Sequence, residues 1–459
     1  MTTKTSRREF LRQASALSIA GAASPFALNL ATIGAASAQA APDYKALVCV
    51  FLYGANDCHN TVVPYDAANH QTYFMQRQTV GLGTSALTPL TPTMPISGPA
   101  GLQLSMPTPL MPLKTLFDAG QCAIVANVGP LIQPTTLTQF KTPGYPLPPK
   151  LFSHNDQQSV WQASSPEGAK FGWGGRIGDL LASQNSTSLF TCMNVSGNAV
   201  FLSGQQVQPF QLDATQGAIG FSGLTGSTPN LFGSAAGSTA LRNLLTRNRT
   251  HLFENETVKV NVRSLDSYTT LSAALQGGQT FVAPAGNSLA AQLAMVAKVI
   301  SVSNTLGAKR QVFLVSLGGF DTHANQNDSH PGLLAQVADA ISLFQATMNS
   351  TGAANKVTLF TASDFGRALV QNGDGTDHGW GSHHLVVGGA VNGNNVYGTF
   401  PDLASSASTN AGNGRLIPTT SVEQYAATMA KWMGVSNNDQ LMILPNLMNF
   451  AQQDLGFMT

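Results

Sequence analysis

The residues best equipped for chemistry gather between Val357 and His384, in the stretch VTLFTASDFGRALVQNGDGTDHGWGSHH. Within it Asp364, Arg367, Asp377, His378, His383 and His384 put carboxylates, a guanidinium and imidazoles in close succession. Carboxylate with imidazole is the donor set of a divalent metal site. A second group, Gly318-Gly319-Phe320-Asp321-Thr322-His323, places an aspartate and a histidine two residues apart behind a Gly-Gly turn. A third, Asn56-Asp57-Cys58-His59, sits near the start of the chain, and a fourth is Ser153-His154-Asn155-Asp156. Taken singly, Asp57 reads as a turn or cap aspartate and Ser153 as the cap of a helix. A serine at a helix N-terminus also faces free N–H groups that can stabilise an oxyanion, which makes Ser153 the candidate nucleophile.

Three of these groups follow apolar, β-branched runs. Lys45–Tyr53 precedes Asp57, Gln311–Leu317 precedes Asp321, and Val357–Thr361 precedes Asp364. Each run reads as a buried strand, and in a parallel sheet the carboxyl ends lie along one edge, where ligands bind. Asp57, Asp321, His323, Asp364 and His378 are therefore predicted to converge on one or two divalent ions. The mixed oxygen and nitrogen set suits zinc or manganese better than calcium. Arg367 could hold an anionic oxygen by a forked contact, and Asn56, His154, His383 and His384 are placed around the substrate. Two ions in such a site could clamp a phosphoryl or sulfuryl group.

The elements between these strands alternate with helices. Periodicity predicts helices at Leu110–Ala119, from Ser153 to about Ala163, and at Ile177–Gln184, Leu289–Leu306, Leu333–Met348 and Thr420–Met433. Further strands are predicted at Cys122–Val128, Leu189–Val195 and Leu385–Val391. The class is α/β, with a mainly parallel sheet covered by helices on both faces. From about 204 to 287 the composition turns to Gly, Ser, Thr and Asn, which reads as an insertion or cap on a single domain spanning 41–459.

Composition narrows the function. The 459 residues carry a net charge of +1 and only 10% charged side chains, so the clustered cations that nucleic acid requires are missing. No Rossmann fingerprint or P-loop is present. Residues 1–40 contain Ser6-Arg7-Arg8-Glu9-Phe10-Leu11, a weakly apolar stretch and Ala-x-Ala cleavage options, and read as a twin-arginine signal. The expected location is periplasmic or secreted, reached folded through the twin-arginine machinery, with no transmembrane helix in the mature chain. Cys49, Cys58, Cys122 and Cys192 have no C-x-x-C spacing and are expected to form no metal site of their own.

Taken together, GANDCHNTVVP, SHNDQQ, GWGGR, GGFDTH, SDFGR and DHGWGSHH resemble a family of uncharacterised exported bacterial proteins, domain of unknown function 1501, over essentially the whole mature chain. That family is grouped with the alkaline phosphatase and sulfatase superfamily. The resemblance implies an alkaline-phosphatase-like fold and a metal-dependent hydrolase acting on a small anionic ester. By the same resemblance Asp57 looks like the carboxylate of a second metal, and Asp321 with His323 like the pair for the first. Asp364 matches the strand-end Ser-Asp-His-Gly motif, with Phe365 where the histidine belongs; His378 would replace that ligand or complete the first site. The sulfatase Cys-x-Pro-x-Arg signature is absent. The competing expectation is a non-catalytic exported protein that keeps the fold, perhaps with one structural metal, and binds a partner at the cell envelope.

Overall fold

The computed structural model describes residues 43–197, 199–226 and 229–459; the signal sequence read at 1–40 lies outside them. A ten-stranded sheet forms the centre of the molecule. Its middle is built from Val357–Ser363, Lys45–Leu52 and Arg310–Leu317, all parallel. Beyond Arg310–Leu317 the sheet continues through Cys192–Asn194 and Phe210–Asp213, parallel, to the antiparallel Gly217–Ala218. On the other side Ser382–Gly388 runs antiparallel between Val357–Ser363 and Cys122–Gly129. The short strands Val396–Tyr397 and Thr420–Ser421 pair in parallel with Cys122–Gly129.

The Lys45 strand shows why this sheet needs helices on both sides. Its alternating residues Ala46, Val48, Val50 and Leu52 enter one apolar core, while Leu47, Cys49 and Phe51 enter the other. On the first face pack Met111–Asp118, Ser288–Ser301 and Gln326–Ser350, through residues such as Phe117, Leu293 and Phe344. On the second pack His154–Ala163, Trp173–Leu181 and Val422–Met433, through Trp161, Ile177 and Tyr425. The mainly parallel α/β sheet covered on both faces is thus observed.

Several predicted boundaries move. The helix expected at Ile177 begins at Trp173, because Gly175 lies flat against the backbone of Ser203, 2.2 Å from where a Cβ would sit. That explains the GWGGR stretch as packing. The strand expected from Leu385 begins at Ser382, so His383 and His384 belong to the sheet itself. The helix expected from Leu333 begins at Gln326 and carries Pro331 inside it. Within 204–287, Phe210–Asp213 extends the main sheet, and the 24-residue helix Leu252–Leu275 sends Leu271, Ala274 and Leu275 into the first core. Its first half and the preceding helix Ala235–Thr246 stand out from that core, leaving Leu244, Leu252 and Phe253 exposed.

Candidate metal centre at the carboxyl ends of the central strands

Leu52, Ser363 and Leu317 are register partners, so the three central strands stop at one level and release their chains onto the same edge. Asp364 follows Ser363 directly, and Asp321 comes four residues after Leu317. Gly54 closes the gap between them: it holds φ +107°, and a Cβ there would stand 2.5 Å from the Asp321 nitrogen. His378 arrives by a hairpin, Arg367–Asn372 against Gly375–His378, in which Arg367 and His378 are paired. His154 opens the helix His154–Ala163, which lies on the second face of the sheet.

These elements bring one oxygen and three imidazole nitrogens together. His154 Nε2 and His378 Nε2 stand 3.1 Å apart, and each is 3.5 Å from Asp321 Oδ1. His323 Nε2 lies 2.9 Å from His378 Nε2 and 3.2 Å from the same Asp321 oxygen. The far nitrogens of the rings are engaged. His154 Nδ1 donates to Asp364 Oδ2 at 2.5 Å, and His378 Nδ1 donates to the Phe152 carbonyl at 2.7 Å. His323 Nδ1 faces Asp377 Oδ1 at 3.3 Å.

A carboxylate or a carbonyl can only accept, so in the neutral rings the proton sits on Nδ1 and the lone pair of Nε2 points inward. Lone pairs converging at 3 Å repel unless a cation lies between them. A tetrahedral zinc ion, with bonds of about 2.0–2.1 Å, separates its ligand atoms by roughly 3.3 Å, which the 3.1, 3.5 and 3.5 Å triangle of His154, His378 and Asp321 matches. The donor set therefore fits a divalent ion, with His323 offering a further nitrogen across the His378–Asp321 edge. The outer partners Asp364, the Phe152 carbonyl and Asp377 are the groups that orient ligating histidines.

Electrostatics follow from the same contacts. Its hydrogen bond to Asp364 holds the His154 imidazolium above the usual histidine range, against the effect of burial. Burial lowers His378. Burial pushes Asp321 up, but the hydrogen bond and charge of Arg367, helped by His154 and His323, outweigh it and keep the carboxyl low. Asp321 and His323 are nearly half exposed whereas Asp364 is fully buried, so the cluster opens to solvent on one side.

Other residues predicted for this site are elsewhere or otherwise occupied. Asp57 is fully buried and takes Arg77 Nη2 and Gln326 Nε2 on one oxygen and the His59 N–H on the other, which makes it half of an internal ion pair rather than a ligand of the cluster. Arg367 is spent inside the protein: it donates to Asp321 Oδ1 at 2.5 Å, to Thr376 Oγ1 at 3.2 Å and to the Thr376 carbonyl, with no fork left for an anion. Asn56 is buried between Thr61 and His330. His383 and His384, being adjacent on a strand, point to opposite faces: His383 stacks on Phe400, and His384 lies against Trp161 and Tyr425. Neither reaches the cluster. Ser153 Oγ donates to Asp156 Oδ2 at 3.0 Å rather than to a histidine. Phe365, at the position of the expected histidine, packs its ring 4.8 and 4.9 Å from those of His154 and His378.

Sequence reasoning underrated His154, placed around the substrate although it supplies one of the converging nitrogens. It missed Gln158, which donates to Asp364 at 2.9 Å, one helical turn on from His154. The i, i+4 spacing of these two residues was the available signal. Arg77 and Gln326 carried no signal, since their partner Asp57 is 20 and 269 residues away.

A family model described as a protein of unknown function, DUF1501, matches residues 230–446. Over that segment the chain is similar to the DUF1501 family. The DUF1501 segment supplies Asp321, His323, Asp364, Arg367 and His378, while His154 precedes it; the match is narrower than the whole-chain resemblance. No curated protein matches the chain. Among solved structures, the chain is similar to Ps i-CgsB in complex with k-i-k-neocarrahexaose, at 9% identity and TM-score 0.37, covering 89% of this chain and 77% of that one. It is also similar to PsFucS1 sulfatase from Pseudoalteromonas sp., at 10% identity and TM-score 0.35, covering 94% and 75%. At such values the reading of the candidate metal centre stands on its own geometry.

Proposed function

We propose that the protein is a metal-dependent hydrolase of phosphate or sulfate esters that works outside the cytoplasm. The observation that carries this reading is the convergence of the His154, His323 and His378 Nε2 atoms on Asp321 Oδ1, with each Nδ1 turned to an acceptor. One divalent ion, zinc or manganese, would be held by His154, Asp321 and His378 with His323. When bound, such an ion supplies Lewis-acid polarisation of an ester oxygen and lowers the pKa of water.

The chain's own groups prepare that chemistry. Asp364 fixes the His154 tautomer and the Phe152 carbonyl fixes that of His378, so neither ring has to turn when the ion enters. Arg367 holds Asp321 in place. Phe365, itself buried, packs against both rings. With Arg367 consumed, Arg415 is a cation placed to meet anionic ester oxygens. Its Nε donates to the His378 carbonyl at 3.1 Å and its guanidinium lies 4.5 Å over the Phe152 ring, at the edge of the cluster. With Ser153 bonded to Asp156, the attacking group is assigned to water.

The test is elemental analysis of the mature protein followed by a panel of phospho- and sulfo-esters. Turnover should vanish on chelation, return with zinc or manganese, and be lost in Asp321→Ala. A loaded protein that cleaves no ester overturns the proposal. It would instead favour a non-catalytic envelope protein retaining its ion, the reading supported by the Ser153–Asp156 and Asp57–Arg77 contacts, which occupy the expected nucleophile and second acid. Export rests on residues 1–40 and is tested by Arg7→Lys with Arg8→Lys, which should keep the protein in the cytoplasm. Among the described residues no helix is long and apolar enough to cross a membrane.

A further inference from the structure

We propose that the outer end of the helical pair Ala235–Thr246 and Leu252–Leu275 is a membrane-docking tip, which seats the protein on a bilayer surface of anionic phospholipid. The first side chain of the longer helix to meet the main apolar core is Tyr268. Leu252 opens that helix about 24 Å away along its axis. At this far end Leu244, Leu252 and Phe253 are 60, 69 and 75% exposed. The end is also tied together. Arg249 donates from its guanidinium to the Leu244 carbonyl at 3.2 Å and from its backbone N–H to Asn255 Oδ1 at 3.4 Å, joining the last turn of the shorter helix to the first turn of the longer. Single exposed apolar residues are ordinary, but three held at one projecting end mark an interaction site.

Charge selects the kind of surface. Residues 214–253 contain Arg242, Arg247 and Arg249 and no aspartate or glutamate, in a chain whose cations and acids balance to +1. Arg242, Arg247 and His251 are exposed around the apolar side chains. Beyond this run Glu256 is paired with Lys259 at 2.6 Å, which leaves Glu254 as the acid beside the tip. Leucine and phenylalanine reach into the boundary between headgroups and acyl chains while arginine stays at the level of the lipid phosphates. The tip thus carries both terms of interfacial binding, apolar burial and attraction to anionic lipid.

Shape favours a bilayer over a second protein. A stable protein interface buries about 800 Å² on each partner, and three apolar side chains on one helix end fall short of that. A fluid lipid surface needs no matching contour and takes a projecting end as it is. No residue is shared with the half-exposed cluster around Asp321, so this tip stands whatever becomes of the ester-hydrolase reading.

Co-sedimentation of the mature protein with vesicles tests it. The protein should bind vesicles of phosphatidylcholine with phosphatidylglycerol, bind pure phosphatidylcholine far less, and come off as salt is raised. Arg242→Gln with Arg247→Gln should weaken binding about fivefold for each arginine. Leu252→Ser with Phe253→Ser should weaken it at least about tenfold with the circular dichroism spectrum unchanged, because both side chains are exposed. Phe253→Trp reports insertion directly: the four native tryptophans are buried, so a blue shift of emission on the anionic vesicles arises at the tip. Failure to bind the anionic vesicles, binding undiminished by the Leu252 and Phe253 substitutions, or an unshifted emission from bound Phe253→Trp overturns the proposal. Self-association that the same double substitution abolishes, without vesicle binding, overturns it too and gives the tip to a second copy of the chain.

Discussion

Replacing Arg77 by Met separates the two roles that Asp57 could have. Both side chains of the pair are fully buried. Removing the guanidinium leaves a carboxylate in the interior with Gln326 and the His59 N–H as its remaining donors. Breaking a buried pair in this way costs about 3–5 kcal/mol. Arg77 Nη1 also donates to the carbonyls of Ala368 and Leu369, at 3.1 and 3.0 Å, and each lost bond adds about 1 kcal/mol. Protonation of Asp57 caps the sum, so the expected loss is about 4–6 kcal/mol. Adding Asp57→Asn removes the stranded charge and should return roughly half of it, leaving the lost carbonyl bonds. The assay is urea unfolding followed by near-UV circular dichroism, with ion content measured on each variant. In Asp57→Asn the ion content should equal that of the wild type. Loss of an ion from Asp57→Asn, or a cost below 1 kcal/mol for Arg77→Met, would refute the ion-pair assignment and restore Asp57 as a metal ligand.

Asp364→Asn keeps the shape but weakens the group that fixes His154; ion affinity should fall 10–100-fold by isothermal titration with little change in fold. Acid should destabilise the protein early. His330 and His384 are held neutral by burial, with pKa about 4 and about 3 against 6.5 for a free ring. Unfolded rings take up protons as pH falls through 6.5 while the folded rings do not, so stability is lost between pH 7 and about 4. The two together should account for about 4 kcal/mol between pH 7 and 5, and a flat denaturation midpoint over that range would contradict their neutral burial. Gly54→Ala forces a Cβ against the Asp321 nitrogen and should lower both the melting temperature and ion affinity; unchanged values would show that the Asp321 loop tolerates the shift.

The sequence alone determined the strands and the edge they end on. Lys45–Leu52, Arg310–Leu317 and Val357–Ser363 are continuous apolar runs, and a strand buried on both faces has to look like that because both of its sides meet helices. Once three parallel strands stop in register, Asp321 and Asp364 must be neighbours, and that much was readable from spacing. Which side chains then turn inward was decided by contacts over long separations. Asp57 follows its strand as the other acids do, yet Arg77 and Gln326 take it into the interior. His383 and His384 carry the same imidazole as His378, yet an antiparallel strand that begins at Ser382 fixes them in the sheet. Local pattern sets where a backbone runs, because burial and hydrogen bonding act residue by residue. The partner of a buried charge comes from another part of the chain, so ligand, ion pair and core histidine separate only when the tertiary structure has chosen their neighbours.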